Sequence, residues 1–446
     1  MNDLRATAKA FYNALDFDKP ISFGAPPLVP DGLPERLYVR NIHGSGERDP
    51  VRELADQIDF TEGAGSYLFT GNRGTGKTTE LLRLGDILHQ YGCEVFYVDL
   101  AEYLNMAQRV EISDFLISIF GALSEKLADR LGDTPGKANF FERISAFLQS
   151  QVTFTELKIP AGVVEFKAAL QQNTTFKEEL QRRARGLIEQ LVREARAFAL
   201  ESVQYVRGQR NDPNRKVVLI VDSVERLRGV GDSQDVREVF KSAETLFASH
   251  SDKLRFAGLT VVYTVPPYLQ ALAGGLGAYY AGGRIYALPS VHIYECCPAA
   301  GVPPRAHAAG LAKMVDIIER RFAGWQDFLS RAQLERLAES SGGDLRDFFR
   351  MLRLVIARAP SLGRLPLTDA ALTDAEDAVR NDMLPIAADD RQWLQQIAAS
   401  HKPELPSLDK LPDFARLQQG KYLLHYRNGE DWYDLHPLLR REVAAP

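Results

Sequence analysis

Cysteine is nearly absent: the 446 residues hold three, Cys93, Cys296 and Cys297, an odd number too small for a disulfide framework. A reducing, cytoplasmic setting is the expectation. The eight histidines and three cysteines show no metal-ligand spacing, and neither a GxSxG elbow nor an HExxH pair occurs, so zinc-hydrolase and serine-esterase chemistry find no residues here. An excess of one charge is lacking too. With 54 Lys+Arg against 59 Asp+Glu, net −5, nothing global draws the chain onto nucleic acid or an anionic bilayer. The first twenty residues contain no apolar core, so no secretory signal is expected. One uncharged stretch, the 27 residues from Ala257 to Gly283, is long enough to span a bilayer. Its Pro266-Pro267 pair and many glycines argue against a membrane helix.

What remains is an ordinary globular composition, 45% hydrophobic and 25% charged, long enough for two to four domains at ~100–200 residues each. Residues 1–35 are Pro-rich (DKPISFGAPPLVPDGLPE) and read as an irregular arm draped over the next domain. Helical periodicity covers Val51 to Ile58. A short buried-strand pattern, Ser66 to Thr70, runs straight into GNRGTGKTTELLRLGDILHQYG, where Leu81, Leu82, Leu84, Ile87 and Leu88 form a helical stripe. A second strand follows at 94–100, so the opening unit is β-α-β and implies a parallel sheet.

More than a hundred residues then intervene before the next clear strand, KVVLIV at 216–221. This insertion reads as helices at about 112–131 and 140–148, a hairpin over TFTELKIPAGVVEFKAAL, and a long helix from about Thr175 to Val206. The last carries Arg182, Arg183, Arg185, Arg193 and Arg196 interleaved with glutamates, which reads as a solvated face with a nucleic-acid track as the alternative. Strands at 259–264 and 285–295 complete a set of five. Three helical segments follow between Leu311 and Arg358, and residues 389–443 read as two helices and a hairpin turning at Asn428-Gly429. The expected organisation is an arm (1–35), an α/β core (36–308, with the insertion at about 104–214), a helical lid (309–364) and a winged-helix domain (366–446).

The chemistry sits in Gly71-Asn72-Arg73-Gly74-Thr75-Gly76-Lys77-Thr78, followed by Thr79, between a buried strand and a helix. This fits the P-loop pattern at every fixed position. Its glycines let backbone N–H groups curl around a nucleotide's phosphates, the helix N-terminus adds its dipole, Lys77 bridges the β- and γ-phosphates, and Thr78 ligates Mg2+. ATP or ADP with Mg2+ is therefore the expected cofactor. KVVLIVDSVERL ends a buried strand in Asp222, suited to holding Mg2+, and Glu225 is the candidate to polarise the attacking water. Thr264 closes the next strand, where a hydroxyl could sense the γ-phosphate.

These ordered pieces resemble the AAA+/STAND group of P-loop ATPases, including origin-recognition-type loaders and NACHT- or KAP-like signalling ATPases. The resemblance spans about 36–443: GNRGTGKTT as Walker A, LIVDSVE as Walker B, Thr264 as sensor 1, SGGDLRDFF as a sensor-2-like helix start, and the terminal winged helix. It implies an ASCE/AAA+-like P-loop NTPase fold, a sensor-2 role for Arg346, and a trans-acting finger at Arg284 with Arg320 or Arg321 as rivals. Typical motors carry Glu directly after the Walker B Asp, whereas Ser223 stands here and the acid comes at Glu225. That spacing is more similar to the signalling members and implies slow hydrolysis.

Residues 366–446 carry nine Lys+Arg against fourteen Asp+Glu, a net −5 that suits protein contact better than phosphate contact. The combined expectation is a Mg·ATP-dependent switch that assembles with itself or a protein partner, with no membrane role. A place in prokaryotic defence follows from family analogy alone. The alternatives are a DNA loader of origin-recognition type using the inserted Arg-rich helix, and a nucleotide-bound scaffold that does not hydrolyse.

Overall fold

The computed structural model describes residues 2–44, 48–135, 139–151, 163–228, 233–295, 297–407, 410–428 and 430–444. It divides into two compact units, one of Met1–Pro50, Gly71–Glu80 and Ala287–Pro446, the other of Val51–Thr70 and Leu81–Tyr286.

The second unit is built on a sheet. Strands β1 (Ser66–Gly71), β2 (Glu94–Asp99), β3 (Val217–Asp222), β4 (Leu259–Val265) and β5 (Ile285–Leu288) lie in the order β2-β3-β4-β1-β5, the last residue of β1 and the last two of β5 belonging to the first unit. Pairing is parallel, with Asp99 opposite Asp222, Val221 opposite Tyr263 and Phe69 opposite Thr264. β1, β3 and β4 are buried along their whole length, as parallel strands covered on both faces must be. The register brings the carboxyl ends of β2, β3, β4 and β1 to one edge, where ligands of open parallel sheets bind. The result is an α/β architecture in which a Gly-rich loop leaves the strand beside β4.

Helix Ile112–Leu131 starts on a capping box between Glu111 and Asp114 and stops at Gly132, which takes the left-handed φ of 84°. Its Phe120 meets Phe140, Phe198 and Phe256, so the insertion shares one aromatic core with the loop before β4. Two expectations for this region are corrected. The segment expected as a hairpin is helical over Val163–Gln172, its earlier half lying outside the described residues. The long helix is broken by a 3-10 turn at Arg185–Leu187, around Gly186, into Thr174–Ala184 and Ile188–Arg210. The uncharged stretch from Ala257 folds as β4 and short turns, and among the described residues no helix is long and apolar enough to cross a membrane.

In the first unit the N-terminal arm is not wholly irregular: Asn2–Ala14 is a helix whose Phe11, fully buried, stacks on Phe322 at 4.4 Å and meets Phe328 edge-on at 5.4 Å. Its repeat of Ala8, Phe11 and Leu15 was hidden beside the Pro-rich run that follows. The last sheet strand ends at Leu288, before Pro289, short of the expected 295. Helices Ala308–Arg321, Arg331–Ser340 and Leu345–Ala357 follow. Beyond Pro366 an unexpected helix, Asp369–Asn381, precedes Ala388–Ser400, Leu411–Gln419 and the antiparallel hairpin β6 (Leu423–Asn428) and β7 (Glu430–Leu435).

Candidate nucleotide-binding site

Within the first unit, the loop Gly71–Gly76 opens the helix Lys77–Gln90, whose first N–H groups have no intrahelical acceptor and are available to an anion. Gly74 and Gly76 hold φ near 93° and 86°, values any side chain would strain. The Asn72 carbonyl gathers the loop: it accepts from the Thr75 hydroxyl at 2.9 Å and from Lys77 Nζ at 2.8 Å. Lys77 is thus folded back and only 6% exposed, its ammonium held at the mouth of the helix. The buried Asn72 side chain finds no partner among the described residues for either polar atom. Arg73 is exposed, and Thr78 and Thr79 lie half-buried in the first turn. The arm braces this helix, with Ile21 N–H donating to Thr79 Oγ1 at 3.1 Å and Tyr38 Oη to Glu80 Oε1 at 2.8 Å.

The same unit carries the start of helix Leu345–Ala357. Gly342 and Gly343 adopt left-handed φ, and Asp344 caps the helix by accepting from Asp347 N–H at 2.9 Å. A β-carbon placed on Gly74 would collide with the Asp344 carboxylate, so this helix end packs directly on the Gly-rich loop. Lys421, buried in the turn before β6, donates to Asp344 Oδ1 at 2.9 Å and to Asp347 Oδ2 at 3.0 Å, while His436 Nε2 lies 3.5 Å from Asp347 Oδ2. Burial works against its charge, yet His436 and Lys421 hold the Asp347 carboxyl well below the usual carboxylate range. Burial pushes the Asp344 carboxyl up, against the pull of Lys421. Arg346 turns toward the arm, its guanidinium 3.4 Å from Asp18 Oδ1 and 5.2 Å from the Phe17 ring centre. Arg320 binds Asp316 and the Tyr38 carbonyl. Arg321, half-buried, donates to the Ala14 and Asp16 carbonyls, and its loss of solvent brings its pKa down to about 10.

In the second unit, Asp222 ends β3 fully buried. Its Oδ2 accepts from Tyr97 Oη and its Oδ1 from Ser223 N–H, both at 2.7 Å. Burial, helped by the charge of Glu225, pushes the Asp222 carboxyl up to about 6. Ser223 takes a left-handed φ of 70°, leading into the 3-10 turn Val224–Arg226 that carries Glu225. Thr264 joins the strand ends: its hydroxyl accepts from Val224 N–H at 3.0 Å and reaches the Val221 carbonyl at 3.3 Å. Arg284 is half-exposed, paired with Glu53 at 3.1 Å and lying 4.5 Å from the Tyr286 ring centre. Hydroxyl and carboxylate oxygens such as those of Thr78 and Asp222 are hard donors of the kind Mg2+ takes alongside substrate phosphates.

The arginines of the insertion are largely engaged. Arg182 and Arg183 pair with Glu179, Arg185 with Glu111, Arg196 with the Asp252 carbonyl and Arg210 with Glu94. Sequence reasoning missed Tyr97, Lys421 and His436, since no local pattern links a tyrosine inside a buried strand, or a turn lysine, to residues about eighty or more positions away. The Asp344 cap was legible in the Gly-Gly-Asp run that opens an apolar helix.

Neither a protein-family model nor a curated protein matches the chain. Among solved structures it is similar to the ORC2 protein of Aeropyrum pernix in its ADPNP-ADP complexes, with 13% identity over 91% of this chain and 94% of that one and a TM-score of 0.38. A Walker-type ATPase of Pyrococcus abyssi gives 12% identity, 92% and 99% coverage and a TM-score of 0.39. The RuvB Holliday junction branch migration motor of Thermotoga maritima gives 13%, 90% and 96%, and 0.35.

Proposed function

We propose that the chain is a Mg·ATP-dependent ATPase acting as a slow, nucleotide-controlled switch. The observation that carries this reading is the loop Gly71–Thr78, with two glycines in left-handed φ, a lysine gathered at the helix start and a buried amide at Asn72 that has no partner among the described residues. The backbone N–H groups from Gly74 to Thr78 bind phosphate oxygens. Lys77 exchanges the Asn72 carbonyl for the β- and γ-phosphates, an exchange of a neutral acceptor for an anionic one. Thr78 would offer its hydroxyl oxygen to Mg2+, Asp222 is the carboxylate suited to that ion, and the metal when bound would neutralise developing phosphate charge. Glu225 orients and polarises the attacking water, and Arg346, once released from Asp18, answers the γ-phosphate. Arg284, exposed and carried on a surface ion pair, is the candidate to reach a neighbouring copy.

Ser223 in the place of a motor's glutamate favours, as second reading, a nucleotide-bound scaffold without turnover. The acidic C-terminal helices and hairpin act as a winged helix turned to protein contact, and the pairing of the insertion's arginines supports a protein partner over a DNA track. Native mass spectrometry of the full chain with ADP and with a non-hydrolysable ATP analogue, alongside phosphate release, tests this. Assembly that follows the analogue, with slow release, is expected. A nucleotide-independent mass with no release would leave the scaffold reading, and no bound nucleotide would end both.

A further inference from the structure

Resting on the reading of Asp222 as the carboxylate that holds Mg2+, we propose that Tyr97 is a positioning residue, fixing that carboxylate in the orientation the cation needs. In the parallel pairing of β2 and β3, Tyr97 stands opposite Ile220 and Asp99 opposite Asp222. Tyr97 and Asp222 therefore share a sheet face as diagonal neighbours, a separation an aromatic side chain spans. Its phenol ends 2.7 Å from Asp222 Oδ2, and both residues are buried, Tyr97 at 7% and Asp222 at 0% exposure. The other oxygen is held at 2.7 Å by Ser223 N–H, an arrangement set by the left-handed backbone at Ser223.

Each carboxylate oxygen is thus held by a donor on a rigid element, the phenol on Oδ2 and the backbone N–H on Oδ1. The phenol is the donor of this pair, because an ionised carboxylate can only accept. Removing the hydroxyl leaves Oδ1 held by Ser223 N–H but takes the phenol's hold from Oδ2, a charged group's hydrogen bond lost. Phenylalanine keeps the ring and its packing, so the chain folds.

The experiment titrates Mg2+ into the full chain carrying a trace of fluorescent ATP analogue and follows anisotropy, for the parent, Tyr97→Phe, Asp222→Asn and the double variant. Binding in EDTA is expected to be the same for parent and Tyr97→Phe, while the half-saturating Mg2+ rises about tenfold, the size of one charged hydrogen bond. Asp222→Asn loses the Mg2+-dependent tightening, and adding Tyr97→Phe to it changes nothing further, whereas a merely structural tyrosine would lower the melting temperature in both backgrounds without moving the Mg2+ midpoint. An unchanged midpoint in Tyr97→Phe, with Asp222→Asn still defective, overturns the role of Tyr97 alone. Retained tightening in Asp222→Asn overturns the reading of Asp222 beneath it.

Discussion

Lys421→Met probes the buried ionic cluster that ties the turn before β6 to the helix start packed on the Gly-rich loop. Lys421 is 9% exposed, sits at a φ of 63° and is the shared donor to Asp344 and Asp347. Methionine keeps the stem and the same backbone burden, so the change isolates the charge. Removing one partner of a buried ion arrangement costs ~3–5 kcal/mol, because the remaining charges stay desolvated and unpaired. Two carboxylates are left facing each other, which places the expected loss at about 3 kcal/mol or more at neutral pH. Trp325, Trp393 and Trp432, the chain's three tryptophans, all belong to the first unit and are buried, so their fluorescence reports this unit's unfolding. At slopes of ~1–3 kcal/mol/M the urea midpoint falls by roughly 1–3 M.

The pH dependence carries a definite sign. Asp347 is held below its unfolded range, so it contributes stability that is present above about pH 4 and lost as pH falls through its folded value. In the variant that contribution shrinks to what His436 alone supplies. Asp344, already pushed up by burial, rises further and destabilises until acid protonates it. Parent and variant therefore differ most near neutrality and converge toward pH 4. A midpoint shift below about 0.3 M at pH 7, or a gap that widens in acid, would refute the reasoning.

Glu225→Gln keeps nucleotide binding but lowers phosphate release by about 10²–10⁴-fold, and release at the parent rate would move the role to another acid. Phe11→Ala empties a fully buried ring site between Phe322 and Phe328 and costs ~3–5 kcal/mol in the same tryptophan-monitored melt; a loss under about 1 kcal/mol would mean the N-terminal helix is not part of the cooperative unit. The full chain, net −5 with its inserted arginines largely paired, should bind labelled duplex DNA with a log–log salt slope shallower than −2 in anisotropy titrations, and a slope of about −6 or steeper would bring back the DNA-loader reading.

The strands were legible because parallel, doubly covered strands are written as unbroken Val- and Ile-rich runs: Val217–Asp222 and Leu259–Val265 fall within a residue or so of their sequence pattern. Helix Ile112–Leu131 is announced by its capping pair and by Gly132. The helix Val163–Gln172 was misread because Val-Val-Glu-Phe alternates like a strand, and only its packing against Phe141 and Phe176 fixes the helical period. The Gly-rich loop is legible for a different reason: positive φ and phosphate geometry demand particular residues at fixed spacing, so local sequence encodes it. Tyr97 with Asp222, and Lys421 with Asp344 and Asp347, are set by strand pairing and helix docking. Their partners stand far apart in the chain, so no window contains them.

The most direct test of the central claim is a calorimetric titration of ATP, with Mg2+, into the folded parent and into Lys77→Ala. Lys77 donates to the Asn72 carbonyl of its own loop, and circular dichroism with a thermal melt checks that Lys77→Ala remains folded. The account predicts saturable one-to-one binding by the parent and loss of at least tenfold in affinity in the variant, the equivalent of ~1.4 kcal/mol or more from one charge-assisted contact. Equal affinity in the two chains, or a parent that takes up no nucleotide, would contradict it.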